Sequence, residues 1–437
     1  MTAVRVHPLS LVVLLTLLPG SKPAHGQGLG GGSLFGSAPE TTQPVSTLGV
    51  STYAGLGDGT GVDAGPSDPL LGGSYYAGFY AGLSHRRRGS THTFDAAAGT
   101  SYRYFPETRE LLNLEGAGAL TLDSQAGQKG RLRLTQVAQY SRFRQFGLTP
   151  VETPSSPDQL TDLPSTNPEG SATVGQPFVD LTSGVNYTQS FGARTNLAAE
   201  YTYRVNLNNE WIERPQSHDA RVRYQHGAGR RASWWLGTAY RWGQTGFVSD
   251  VPSIRANDFE GGLDYTRRGT TISGSAGVTL ASRGPGENTD GASGLGRQVI
   301  GAFAVGRTLG RSWNVRADYS RRLQFVDAFP DPFASDQANG SVTGQFGRRA
   351  SFTAQAGYWT GVATAVTAGP DQRADGWRTV TQVGIGVSRH SEAYAQYHYT
   401  SNEFSDAALA SLPPGVLPRT NWGGVQFGVS IWAPYVH

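Results

Sequence analysis

The stretch Trp313-Asn-Val-Arg-Ala-Asp-Tyr-Ser-Arg321 decides the fold. Trp313, Val315, Ala317 and Tyr319 share one parity, and Asn314, Arg316, Asp318 and Ser320 share the other. Strict alternation puts the two sets on opposite faces of an extended strand. The same split occurs in Leu197–Val205, Ala220–Tyr224, Phe352–Tyr358 and Ala393–Tyr399. Working outward, short basic turns recur at Gly192–Arg194, Gly229–Arg231, Arg267–Gly269, Gly310–Ser312, Gly347–Arg349 and Arg389–Ser391. Longer Pro/Gly/Asp-rich loops alternate with them at 207–217, 247–257, 283–298, 326–335, 361–376 and 402–419, and the longest runs from 144 to 178. One short turn and one long loop per strand pair is the layout of a membrane β-barrel. A soluble propeller has a similar period, but a blade packs four short strands into it. Here each period holds two strands of about ten residues, the length of a tilted transmembrane strand. Aromatics also stand at the ends of the apolar rows, among them Trp234, Trp242, Phe259, Tyr265, Tyr358 and Trp377, where interfacial girdles belong. The expected fold is all-β, an antiparallel transmembrane β-barrel of about 16–18 strands.

The N-terminus carries Arg5, an apolar run from Leu9 to Leu18 and the small-residue site Ala24-His-Gly26. This is the order of a secretory signal over residues 1–26. The run is too short to span a bilayer as a helix. Residues 27–73 contain Gly28-Leu-Gly-Gly-Gly-Ser33 and Gly57-Asp-Gly-Thr-Gly61 and read as a flexible periplasmic extension. Val45–Tyr53 stands out within it as one alternating piece that could be a strand, and counting it would bring the total from about 17 to about 18. The barrel is expected over 74–437, its last strand running from Trp422 to Trp432 before a short tail.

The chain has no cysteine, and its net charge of +3 falls to +1 without the signal. Disulfides, thiolate metal sites and cysteine nucleophiles are excluded, and a near-neutral chain gives no footprint for nucleic acid. Neither Lys22 nor Lys129 follows a glycine, which removes a phosphate-loop lysine. His-Glu-x-x-His and Gly-x-Ser-x-Gly are absent. No catalytic residue, cofactor or metal is expected. His218 and His226 fall at opposite ends of a lipid-facing row, whereas His398 shares the lumen parity of Gln396. Asp219 beside His218, and Glu392 near His390, are the local acid–base candidates for an outer-membrane hydrolase. Neighbouring residues on a strand point to opposite faces, so that reading is weak.

The lumen row carries more information. Arg131, Arg133, Glu200, Arg204, Arg221, Arg223, Trp235, Arg241, Asp264, Arg316 and Asp318 are its candidates. Inward arginines would concentrate anions. They could equally pair across the lumen with Glu200, Glu260, Asp264 and Asp318 and only stiffen the wall. Trp235 is either a stacking platform for sugars or, with Trp234, an interfacial residue. Arg194, Arg230, Arg231, Arg267, Arg268, Arg311, Arg348 and Arg349 lie in the turns, where guanidinium suits the phosphates of outer-membrane lipids. A docked periplasmic partner is the alternative there.

The segment Arg311–Phe333, followed by Gly347–Tyr358, resembles a recurrent stretch of a porin-like outer-membrane β-barrel family associated with exopolysaccharide export. The resemblance covers 74–432 and implies a conduit for exopolysaccharide, with polysaccharide and periplasmic export machinery as partners. A general or anion-preferring uptake porin is the alternative.

Overall fold

The computed structural model describes residues 45–60, 72–104, 112–141, 144–145, 173–174, 178–207, 216–244, 253–283, 296–310, 312–324, 332–347, 349–363, 372–410 and 418–436. The signal at 1–26 and most of the 144–178 loop lie outside them. Eighteen strands form one sheet. They are β1 (Val45–Thr60), β2 (Gly72–Arg88), β3 (His92–Tyr104), β4 (Leu112–Ala126), β5 (Gly130–Ser141) and β6 (Phe178–Ser190). Next come β7 (Thr195–Leu207), β8 (Gln216–Gly227), β9 (Ala232–Gln244), β10 (Ile254–Arg267), β11 (Thr270–Arg283) and β12 (Gly296–Leu309). The last six are β13 (Trp313–Gln324), β14 (Phe333–Phe346), β15 (Ala350–Ala363), β16 (Arg373–Ser388), β17 (Ser391–Phe404) and β18 (Arg419–Val436). Each pairs antiparallel with its neighbours in sequence, and β1 pairs with β18 to close the barrel.

Turn chemistry fixes the hairpins at one end. Between β10 and β11, Arg268 (φ 46°) and Gly269 (φ 77°) both take left-handed conformations, as a two-residue turn of the primed type requires. Gly127, Gly310 and Gly347 also have positive φ in the short turns. The short turns and both ends of the sheet, Val45 and Val436, share one rim. In this architecture the short-turn rim is periplasmic. At the other rim a single helical turn, α1 (Asp406–Leu409), is capped by the Ser405 side chain, which accepts from the Ala408 amide.

The first strand corrects an expectation. Val45–Thr60 is not part of an extension preceding a barrel that starts at 74; it is a wall strand, paired to β2 through Val45↔Arg86 and to β18 through Val45↔Val436. Its outward row, Leu48, Val50, Thr52, Ala54 and Leu56, contains small residues, and Gly57–Gly61 resembles a linker. The Val45–Tyr53 piece is thus a strand, the one that brings the sheet to 18, and these features conceal its length and its place in the wall. Similarly, Ala433–Val436 is no free tail, because it completes β18 against Leu48–Val45.

The outer face is apolar. Leu120, Leu134, Val222, Leu236, Phe259 and Phe303 all point outward and are exposed, a surface that only lipid accommodates. On β8, His218 packs against Tyr203 (4.8 Å) and Trp242 (4.9 Å), with Tyr201 Oη 2.7 Å from its Nδ1. At the other end of that strand His226 lies 5.8 Å from Trp234. Eight residues at ~3.3 Å each separate these aromatic clusters by ~26 Å along the strand, or ~20 Å along the membrane normal at a tilt of ~40°, within an apolar band ~25 Å tall.

Candidate functional site: the barrel lumen

The inward row of β4–β10 and β13 carries most of the lumen's charge. Arg131 and Arg133 on β5 both donate to Asp123 on β4, with Arg131 Nε 2.5 Å from Oδ1 and Arg133 Nη2 3.1 Å from Oδ2. Arg204 on β7 reaches Asp180 on β6 at 2.9 Å. Arg221 holds Asp219, two residues back on β8, through two hydrogen bonds of 2.7 and 2.8 Å. Glu200 sits directly across the ladder from Arg221. Arg223 donates to Asp264 on β10 at 3.1 Å and lies 4.1 Å over the Trp235 ring. Arg316 is 3.4 Å from Asp318, and Arg322 is 3.7 Å from Glu260.

Arg241 differs from these. Its Nη2 binds both oxygens of Asp258 at 2.6 and 2.8 Å, Thr279 Oγ1 donates to the same carboxylate at 2.6 Å, and Arg241 Nη1 donates to the Leu323 carbonyl. Both charged groups are buried. Buried pairs hold when the remaining lone pairs and protons find partners, and Thr279 and Leu323 supply two of them.

This wall carries eight arginines (131, 133, 204, 221, 223, 241, 316, 322) against nine carboxylates (115, 123, 180, 200, 219, 258, 260, 264, 318), so its formal charge nearly cancels, at −1. Depth does not cancel. The Arg131 side chain is 66 % exposed and Asp123 9 %; Arg204 is 39 % and Asp180 13 %; Arg316 is 63 % and Asp318 29 %. Apart from the buried Arg241–Asp258 pair, the carboxylates lie closer to the strands, while the longer guanidinium arms stand out into the bore. The arginines are also spread along it. Arg131, Arg133, Arg223 and Arg316 lie toward the short turns, Arg221 near mid-strand, and Arg204, Arg241 and Arg322 toward the long loops. At the short-turn mouth, Lys129, Arg131 and Arg133 line a polar cavity of about 560 Å³ with Asn186 and Thr188.

The rest of the wall is built differently. Across the closing strands, Gln426 Nε2 donates to Tyr394 Oη (3.1 Å), Tyr76 Oη donates to Gln426 Oε1 (3.4 Å), and Ser51 and Ser430 hydroxyls meet at 3.0 Å. Tyr53 and Tyr76 form an edge-to-face pair with centroids 6.3 Å apart. Each ring lies over a glycine of the opposite strand. A Cβ at Gly78 would fall 2.1 Å from the Tyr53 ring, and one at Gly428 2.4 Å from Tyr394. His398 is buried on this wall beside Gln396 and Thr400.

All eleven lumen candidates stand on the inward row. Their pairs run along the wall rather than across the lumen. Asp264 and Asp318, which hold Arg223 and Arg316, were among the candidates; Asp123, Asp180, Asp219 and Asp258, which hold five other arginines, were not, and their shared parity with the arginines was the available signal. Trp235 faces inward and Trp234 outward. One face of Trp235 carries Arg223, and its edge overlies Gly262, so it positions an arginine. In the turns, Arg194, Arg230, Arg231, Arg267, Arg268 and Arg349 are exposed; Arg311 and Arg348 lie outside the described residues.

No protein-family model matches the chain, and no curated protein does. Solved structures of similar shape include the FrpB iron transporter of Neisseria meningitidis (8 % identity, 83 % of this chain and 63 % of that one, TM-score 0.43). Two others are from Pseudomonas aeruginosa. OccK2 in complex with glucuronate has 10 % identity over 90 % of this chain and 98 % of its own, TM-score 0.43. OpdK with vanillate has 10 % identity over 89 % and 99 %, TM-score 0.42. The chain thus spans less than two thirds of FrpB. A closed 18-stranded barrel with an apolar outer belt, aromatic girdles and a polar bore is a porin-like outer-membrane channel in architecture.

Proposed function

We propose that this chain is an uptake porin of the outer membrane that favours small anionic solutes and carries out no chemistry on them. One observation supports the reading above the others: along the charged wall the guanidiniums project into the bore while their carboxylates lie back against the strands. A solute moving down the bore meets cationic groups first. Each is already partly neutralised by its acid, so it holds an anion briefly rather than trapping it. Conduction requires sites strong enough to enter and weak enough to leave. The spread of arginines from one rim to the other supplies successive sites of that kind.

The exposed turn arginines pair with the phosphates of the periplasmic leaflet in this account and fix the barrel's height. The exopolysaccharide conduit rests on a sequence resemblance alone.

The test is liposome swelling with the refolded barrel. A sugar monocarboxylate should enter faster than the neutral sugar of the same size, and the preference should weaken in high salt, which screens exposed charge. Equal rates for the two solutes would remove the anion preference, and no swelling in either would remove the channel.

A further inference from the structure

The ladder between β12 and β13 stops short. Its last pair toward the long-loop rim is Gly301↔Arg321, although β12 begins at Gly296 and β13 continues to Gln324. The β13–β14 ladder does not stop there and runs on through Leu323↔Ala334 to Gln324↔Phe333. Among the described residues, the β12 edge from Gly296 to Ile300 has no strand beside it on that side. The outer end of β13 has left the wall.

Leu323 shows where it went. By alternation with Trp313, Val315, Ala317 and Tyr319 it belongs to the lipid-facing row. Yet it is fully buried, packed against Ala256 and Ala281, which are inward residues of β10 and β11. An outward side chain touches the inner surface of the wall only if its strand stands inside that wall. The end of β13 is therefore turned into the bore, behind β10–β12. Arg241 holds it there through the Leu323 carbonyl, and Asp258 with Thr279 holds Arg241. Arg322 reaches Glu260 on the same wall.

The sequence also provides a second home for this segment. Continuing the β12–β13 register would pair Ile300 with Arg322, Val299 with Leu323 and Gln298 with Gln324. Facing would then be correct throughout. Arg322 and Gln324 would look into the bore, and Leu323 would look to lipid beside Val299, which has no ladder partner on that side. Three further ladder pairs and an apolar contact with lipid would replace the Arg241 contact and the alanine pocket. Two packings that each satisfy the same residues make a two-state element.

We infer that the outer end of β13 is a gate: turned inward under Arg241 it narrows the bore, and paired with β12 it widens it. This rests on the reading of the lumen as a conduit, which the test keeps separate. The chain has no cysteine, so two double variants of the full-length barrel report the two positions. Ala281→Cys with Leu323→Cys bridges the inward state, and Val299→Cys with Leu323→Cys bridges the wall-paired state. Crosslinking is read by loss of maleimide-reactive thiols, independently of conductance. Both bridges should form under mild oxidant. The first should hold the channel at its smaller conductance and the second at its larger one, with reduction restoring both levels. In the Val299→Cys/Leu323→Cys background, adding Arg241→Gln should raise the yield of that bridge severalfold. If only the Ala281–Leu323 bridge closes, the segment has one position and the gate is wrong. If both close and conductance is the same in each, the segment moves without gating. If neither oxidised nor reduced protein conducts, the conduit reading fails, while the two crosslink yields still decide whether the segment moves.

Discussion

Two parts of one lumen wall share strand geometry and alternation but differ in what they point inward. From β4 to β10 the inward residues are long, charged and paired along the wall, with arginine heads in the bore. Across β17, β18, β1 and β2 they are mainly tyrosines, glutamines and serines, with rings set over glycines of the neighbouring strand, and the charged Glu392 and Arg86 stand near the short-turn rim. The first arrangement leaves its polar groups available to a solute. The second consumes them in neighbour contacts, at the place where the two ends of the chain must meet. A barrel tolerates weak, exchangeable contacts along a continuous sheet, because each strand is held by short turns. At the closure no turn joins β1 to β18, and side chains must fix the register.

This contrast can be broken from the seam side with the largest effect. Gly78→Val places atoms inside the Tyr53 ring position. It should abolish the heat-resistant folded band on a gel, while the same change at Gly340, which has open space around it, should leave the band. The buried pair of the charged wall comes next. Asp258→Ala leaves Arg241 buried without its carboxylate, and denaturant titration should show a loss of ~3–5 kcal/mol. Replacing both partners with apolar residues should cost less than replacing Asp258 alone. The exposed arginines come last for stability and first for selectivity. Arg221→Gln with Arg223→Gln should change unfolding by less than ~1 kcal/mol for each lost pair, yet lower the chloride-to-potassium permeability ratio by roughly twofold or more. Asp219→Asn, which removes a recessed acid, should shift that ratio slightly the other way. If the seam and charged-wall variants affected stability and selectivity alike, the division of labour would fall.

Much of this was legible in the sequence because alternation is geometric. Trp313–Arg321 states its two faces without help from any neighbour, and the short turns count the hairpins. The first strand was harder, since Thr52, Ala54 and Gly55 give little alternation by themselves and β18 and β2 make the strand. The arginines could be assigned to the lumen, but their acids could not be matched to them. Asp123 meets Arg131 and Arg133, and Asp258 meets Arg241, through cross-strand register, which parity does not set. Leu323 is the sharpest case. Its parity says lipid, and its surroundings are Ala256 and Ala281. Local pattern describes the strand as part of the wall, and the contact with Arg241 overrides it.

The most direct test of the central claim is the zero-current potential of single barrels in a planar bilayer under a tenfold potassium chloride gradient. Its sign should mark chloride as the more permeant ion, and it should move toward zero in the Arg221→Gln/Arg223→Gln variant. A potential of the opposite sign, or one that the two substitutions leave unchanged, would contradict the claim.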